Sequence, residues 1–165
     1  MRFHLAQVNI GRLLAPLDSI QLADFVNALD PVNASADAAP GFIWRLTSEA
    51  GDASDASAFA WDVGDSAGVI VNMSVWESIE EPTDWVYGPF HRAVLIQRRN
   101  WFERVTEATT ALWWVPEGHR PTVGEAESRV LHLRSNGPSP RAFTFKHSFA
   151  PPSHSNHESR PVSTE

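Results

Sequence analysis

Two stretches of this chain bring imidazole and indole side chains together. In Thr83-Asp84-Trp85-Val86-Tyr87-Gly88-Pro89-Phe90-His91, a tryptophan precedes a histidine by six positions. In Leu112-Trp113-Trp114-Val115-Pro116-Glu117-Gly118-His119-Arg120-Pro121, two adjacent tryptophans run towards His119. Histidine moves protons near neutral pH, or ligates a metal through a neutral ring nitrogen. Indoles supply apolar walls with one N–H donor each. For His91 three readings stand side by side: acid or base, axial haem ligand, or packed histidine. His119 sits in a loop before a helix, where it caps that helix, meets a partner subunit or reaches a pocket. Asn9 and Asn72 interrupt apolar stretches. A buried amide needs a partner, so each either bonds a neighbouring loop or aims a donor at a substrate carbonyl, enolate or bound oxygen. Arg98 and Arg99 either clamp an acidic ligand or form surface ion pairs. Trp44, Trp76, Trp113 and Trp114 read first as core packing. If Trp113 and Trp114 lie in a strand, they face opposite sides.

The elements that position these groups follow from periodicity. Residues 3–10 read as a strand, with Phe3, Leu5, Gln7 and Asn9 on one face and His4, Ala6, Val8 and Ile10 on the other. Asp18 is placed to cap a helix with the stripe Ile20, Leu22, Phe25, Val26 and Leu29. Pro31 falls near its end, and a short second helix reads over Val32 to Ala38. Residues 42–46 form a second strand. Residues 47–67 read as a solvated hairpin connection, in which Phe59 and Trp61 extend a strand or fold back as a lid. Gly68 to Trp76 is the clearest strand. Ser78 then caps a helix that Gly88-Pro89 interrupts and that resumes to Val105. Residues 109–115 give a fourth strand. Pro121 and Thr122 open a helix over 123–135, which Asn136-Gly137-Pro138 stops. Residues 142–147 read as a short last strand. The domain is expected to span 1–149, with 150–165 as a disordered tail.

The order is β-α-β-β-α-β with a C-terminal helix and strand: an α+β, ferredoxin-like arrangement. Its helices are expected on one face of an antiparallel sheet. The other face, with Val69, Val71, Met73 and Val75, then needs cover, and a homodimer supplies it. The 165 residues suit one domain and carry a formal charge of -7, which argues against nucleic acid and an anionic membrane. The absence of cysteine removes disulfides, thiolate metal sites and Cys nucleophiles. Without a signal-like or spanning apolar run, a cytoplasmic protein is expected.

The chain resembles a bacterial family of small proteins labelled as a domain of unknown function. The residues carrying that resemblance are Leu5-Ala6-Gln7-Val8-Asn9-Ile10, Asn72-Met73-Ser74-Val75-Trp76-Glu77-Ser78, Arg98-Arg99-Asn100-Trp101-Phe102, the 112–121 stretch and Ala142-Phe143-Thr144-Phe145. The match covers about 3–147. More broadly it is similar to the dimeric α/β-barrel superfamily of antibiotic-biosynthesis monooxygenases and, more distantly, haem-degrading monooxygenases. The latter use a first-strand Asn, a Trp on the helix after the third strand, and an axial His further along. Asn9, Trp85 and His91 match those positions. The gap from Trp85 to His91 is about one helical turn shorter than in that pattern.

The resemblance implies a pocket between the sheet and helix 78–105, with Asn9, Trp85 and His91 as catalytic residues and one of Trp113 or Trp114 in its wall. Asn72, Trp44, Arg98 and His119 join as substrate-binding candidates. Three functions are carried forward. The first is a cofactor-independent enzyme acting on a hydrophobic, aromatic or polyketide-like compound, in which His91 transfers a proton during oxygenation, cyclisation or isomerisation. The second is a haem monooxygenase with His91 as the metal ligand. The third is a non-catalytic module that holds a small ligand.

Overall fold

The computed structural model describes residues 1–47 and 58–153. Residues 48–57 of the 47–67 connection and the tail from 154 onward lie outside them. The elements run β1 (Phe3–Arg12), α1 (Ala23–Asp37), β2 (Phe42–Arg45), β3 (Val69–Trp76), α2 (Glu80–Tyr87), α3 (Pro89–Gln97), β4 (Thr110–Pro116) and α4 (Val123–Asn136). One antiparallel sheet takes the order β2-β3-β1-β4. Among the described residues, no helix is long and apolar enough to cross a membrane.

Strand parity sets the two faces of the sheet. One carries Ala6, Val8, Ile10, Val71, Met73, Val75, Ala111, Trp113 and Val115, all buried. Here the expectation of helices on one face only fails. Ala126, Val130 and Leu133, spaced as one stripe of α4, pack on this face together with Phe59. The surface that motivated a homodimer is therefore covered within the chain. Thr122 starts α4 by accepting the Glu125 amide at 3.1 Å. Gly137, at φ 72°, ends it with its N–H on Leu133 O, a left-handed position that favours glycine.

Helices α1 to α3 lie on the other face. Register aligns Leu5 with Trp76 and Trp114, Gln7 with Ser74 and Leu112, Asn9 with Asn72 and Thr110, and Gly11 with Ile70. Two apolar clusters pin this layer. One joins Leu13, Leu22, Phe25 and Trp101 with Ile70, Val94 and Phe102. The other joins Leu5, Leu112 and Phe143 with Ile79, Trp114 and Phe149. A Cβ on Gly11 would come within 2.7 Å of the Phe102 ring. Glycine there lets that ring rest directly on β1.

Local expectations are corrected at four places. No capping hydrogen bond from Asp18 is present; a 3-10 turn over Ile20–Leu22 leads into α1. That helix runs unbroken through Pro31, whose missing N–H costs one backbone bond on an exposed stretch. Helical structure after β3 ends with α3 and a 3-10 turn over Arg98–Asn100, so Trp101 and Phe102 follow it. Residues 142–147 form no strand. Phe143 makes an isolated bridge to Leu112, and Thr144 one to His147.

Phe59 neither extends a strand nor forms a lid. It is buried at φ 54° and its N–H donates to Glu127 Oε1 at 2.7 Å. Trp61 stays exposed, with the Arg134 guanidinium 5.5 Å from its ring centre. The 3-10 turn that holds Trp61 carries a buried ionic tie. Buried Asp62 accepts from Arg12 of β1 at 2.7 Å and from Arg134 of α4 at 2.6 Å.

Candidate functional site

His91 occupies the first turn of α3, just after the Gly88-Pro89 break. An α-helix leaves its last carbonyls without intrahelical partners. His91 meets one of them, with Nδ1 3.2 Å from Val86 O of α2. A carbonyl can only accept, so Nδ1 carries the proton and the neutral ring keeps its lone pair on Nε2. Burial pushes the imidazole pKa below its usual 6.5, and the Val86 bond offsets part of that. The ring is accordingly neutral at physiological pH.

Trp85 lies against this imidazole, with ring centres 4.3 Å apart. On an uninterrupted helix, residues six apart point about 120° away from each other. The break at Gly88 is what brings the pair together. Trp85 also touches Trp76 at 5.9 Å and donates its Nε1–H to Ser35 Oγ of α1 at 3.1 Å. The indole is thus fixed at both ends.

Trp76 closes one end of the helix-side face of β3. Val94, three residues after His91, packs in the cluster that contains Ile70 at the other end. Ser74 and Asn72 lie on β3 between those ends, beside Gln7 and Asn9 of β1. These are the two central strands, yet Asn9 and Asn72 are exposed. A polar strip crosses β1 and β3 on this side, exposed at Asn9 and Asn72 and buried at Gln7 and Ser74, with an apolar cluster at each end. Asn9 Nδ2 donates to Thr110 Oγ1 at 2.7 Å. Ser74 Oγ accepts from Trp76 Nε1 at 2.8 Å. Gln7 is 8 % exposed, and among the described residues its Oε1 has no hydrogen-bond partner.

The remaining candidates separate. Trp114 is on the helix side, donates to Phe149 O at 2.7 Å, and lines a hollow of about 360 Å3 with Phe3, Ile79 and Glu80. Trp113 and Trp44 belong to the opposite face, under α4. Trp113 Nε1 donates to Glu125 Oε1 at 2.8 Å, and His119 Nε2 meets Glu125 Oε2 at 2.8 Å. Burial alone would raise the Glu125 pKa, but the bonds from His119 and Trp113 hold it low. His119 is therefore a hydrogen-bond partner of Glu125 in the first turn of α4, on the far side of the sheet from Asn9. Arg98 lines an open hollow of about 430 Å3 with Arg92, Ile96 and Arg99. The structure thus places Asn9, Asn72, Trp85, His91 and Trp114 on one side of the sheet and Trp44, Trp113 and His119 on the other. Gln7, Ser74 and Thr110 join the polar strip without having been singled out. Parity with Asn9 was the signal for Gln7.

The fold is that of an α+β protein with a four-stranded antiparallel sheet between helices, and its His91–Trp85 pair lies in the helical layer on the side of Asn9 and Asn72. The chain belongs to the family described as Domain of unknown function (DUF3291), whose model matches residues 4–159. No curated protein and no solved structure matches it.

Proposed function

We propose that this protein is a small-molecule enzyme of the antibiotic-biosynthesis-monooxygenase type. Its substrate is a hydrophobic, aromatic or polyketide-like compound lying on the helix side of the sheet. The element order and the sheet order β2-β3-β1-β4 support a ferredoxin-like fold. The observation that carries the chemistry is His91: a neutral ring with its protonated nitrogen engaged and, among the described residues, no hydrogen bond on Nε2. Nε2 accepts a phenolic or enolic proton, leaving an imidazolium and an electron-rich phenolate or enolate. That step is common to oxygenation, cyclisation and isomerisation. In the oxygenation, dioxygen is the co-substrate: a ring CH2 becomes C=O and one water leaves. Trp85 walls the base from solvent, and Asn9 lies on the floor of the same side.

His91→Ala should lower turnover by about 10²–10⁴-fold, the usual worth of a positioned acid or base. The fold should survive, because the ring is only half-buried. Oxygen uptake and product masses over a panel of hydroxynaphthalenes and hydroxyanthracenes test this. Since the His91 pKa is lowered, the wild-type acid limb should fall below pH 6.5. Normal turnover in the variant, or an acid limb above that value, defeats the reading.

The same free nitrogen favours a second reading, in which His91 is the axial ligand of a haem. Neutral imidazole is the donor that haem iron takes, and haem would supply oxygen activation. Reconstitution with haemin decides between them: a Soret band in wild type that His91→Ala loses supports haem.

A further inference from the structure

We infer that the hollow along α3 is an anion site, separate from His91, that takes a phosphate monoester carrying an apolar group. Arg92, Leu95, Ile96, Arg98 and Arg99 line this one space of about 430 Å3. Small-molecule sites run roughly from 300 to 1,000 Å3. The spacing shows how a single helix supplies the lining. Positions 92, 95, 96 and 99 follow i, i+3, i+4 and i+7, which share one side of a helix. Arg98 is the C-cap. Val94 falls off that stripe and packs against the cluster of Leu22, Phe25 and Trp101.

The charge here runs against that of the chain. The formal charge is -7, yet residues 85–102 hold three arginines and no acid. Arg2, Arg12, Arg45, Arg129 and Arg134 each meet a carboxylate. Among the described residues, the guanidiniums of Arg92, Arg98 and Arg99 have no ion pair and no hydrogen bond. Helix electrostatics do not account for the group. Arg98 and Arg99 suit the C-terminal end of α3, but Arg92, in its first turn, opposes the helix dipole. Like charges gathered around one hollow repel each other, and an anion removes that repulsion. A carboxylate brings one negative charge. A phosphate monoester brings roughly -1.5 to -2 at neutral pH, with three acceptor oxygens that guanidinium forks meet in pairs. Beside the cations, Leu95 is half-buried and Ile96 is 74 % exposed. They give the ester's organic group an apolar surface. A soluble ester fits better than a lipid headgroup, because an anionic bilayer repels a chain of this net charge.

Calorimetric titration in phosphate-free buffer tests this with hexyl phosphate, inorganic phosphate, hexanoate and hexanol. Wild type should bind hexyl phosphate about tenfold or more tighter than any of the other three. Arg92→Gln and the double variant Arg98→Gln/Arg99→Gln should each weaken it about tenfold or more. Ile96→Ser should bring it down to the level of inorganic phosphate. Arg120→Gln, at an exposed arginine in the loop before α4, should bind as wild type does. Urea midpoints should stay at the wild-type value, since the substituted side chains are exposed. The inference is overturned if wild type shows no preference for hexyl phosphate, if Arg120→Gln weakens it as much as the others, or if the midpoints of the arginine variants fall. Two further results would also overturn it. One is binding to phosphatidylcholine vesicles containing phosphatidic acid without binding of hexyl phosphate. The other is a dimer in light scattering that the double variant breaks while hexyl phosphate goes unbound. His91→Ala should bind hexyl phosphate normally, so this site and the reading of His91 fail separately.

Discussion

Asp62→Ala should destabilise the fold by about 3–5 kcal/mol, the cost of breaking a buried ion pair from one side. The Asp62 side chain is 3 % exposed, and both guanidinium partners are largely withdrawn from water. Removing the carboxylate leaves two half-buried cations facing each other, and among the described residues Arg134 keeps Ala108 O and the Trp61 ring. A loss of that size is a large fraction of the roughly 5–15 kcal/mol that holds a domain. The pH dependence has a definite sign. Burial by itself would raise the Asp62 pKa, but hydrogen bonds from Arg134 and Arg12 outweigh it and hold it below the ordinary carboxylate value. The stabilisation is therefore complete above that ordinary value, and is lost as pH falls through the depressed one. Urea unfolding at neutral pH and in acid should show the gap between wild type and Asp62→Ala narrowing as the solution is acidified. A midpoint equal to wild type at neutral pH would show that the tie between β1 and α4 is dispensable.

Val130→Asp should abolish the folded state. Val130 is fully buried in the stripe by which α4 covers Val71, Met73 and Val75. An unpaired carboxylate at that point costs several kcal/mol in desolvation, beyond the lost apolar contact. Either the chain unfolds or α4 lifts away and exposes an apolar sheet face, a surface of the kind that drives association. Circular dichroism and light scattering separate the two results from each other and from the normal, wild-type spectrum. The normal spectrum would mean that α4 does not cover the sheet.

The strands and their faces were readable because period-two alternation needs no partner to be seen. Trp113 and Trp114 fall on opposite faces as parity requires, and Asn9 shares a side with Gln7. The destination of α4 was not readable. Its stripe of Ala126, Val130 and Leu133 marks an apolar side, but the sheet face it covers is set by tertiary packing. Phe143 misled in the same way: an aromatic alternating pattern gave a strand, where the structure makes one bridge at the β4 edge. At the candidate site, Trp85 and His91 were identified by type. Their contact depends on the chain turning at Gly88, which a helical projection through that break misses. Gln7 was visible only as one polar residue among alternating ones. Its missing partner is a property of what surrounds it in space.

The tautomer of His91 bears most directly on a free ring nitrogen serving as base or ligand. Long-range 1H–15N correlation spectra of imidazole-labelled protein at neutral pH resolve the two nitrogens. Nδ1 should carry the proton and Nε2 should show the shift of an unprotonated nitrogen, persisting below pH 6.5 on titration. A protonated Nε2 at neutral pH, as the other tautomer or as imidazolium, would contradict the assignment of His91 as the reactive group.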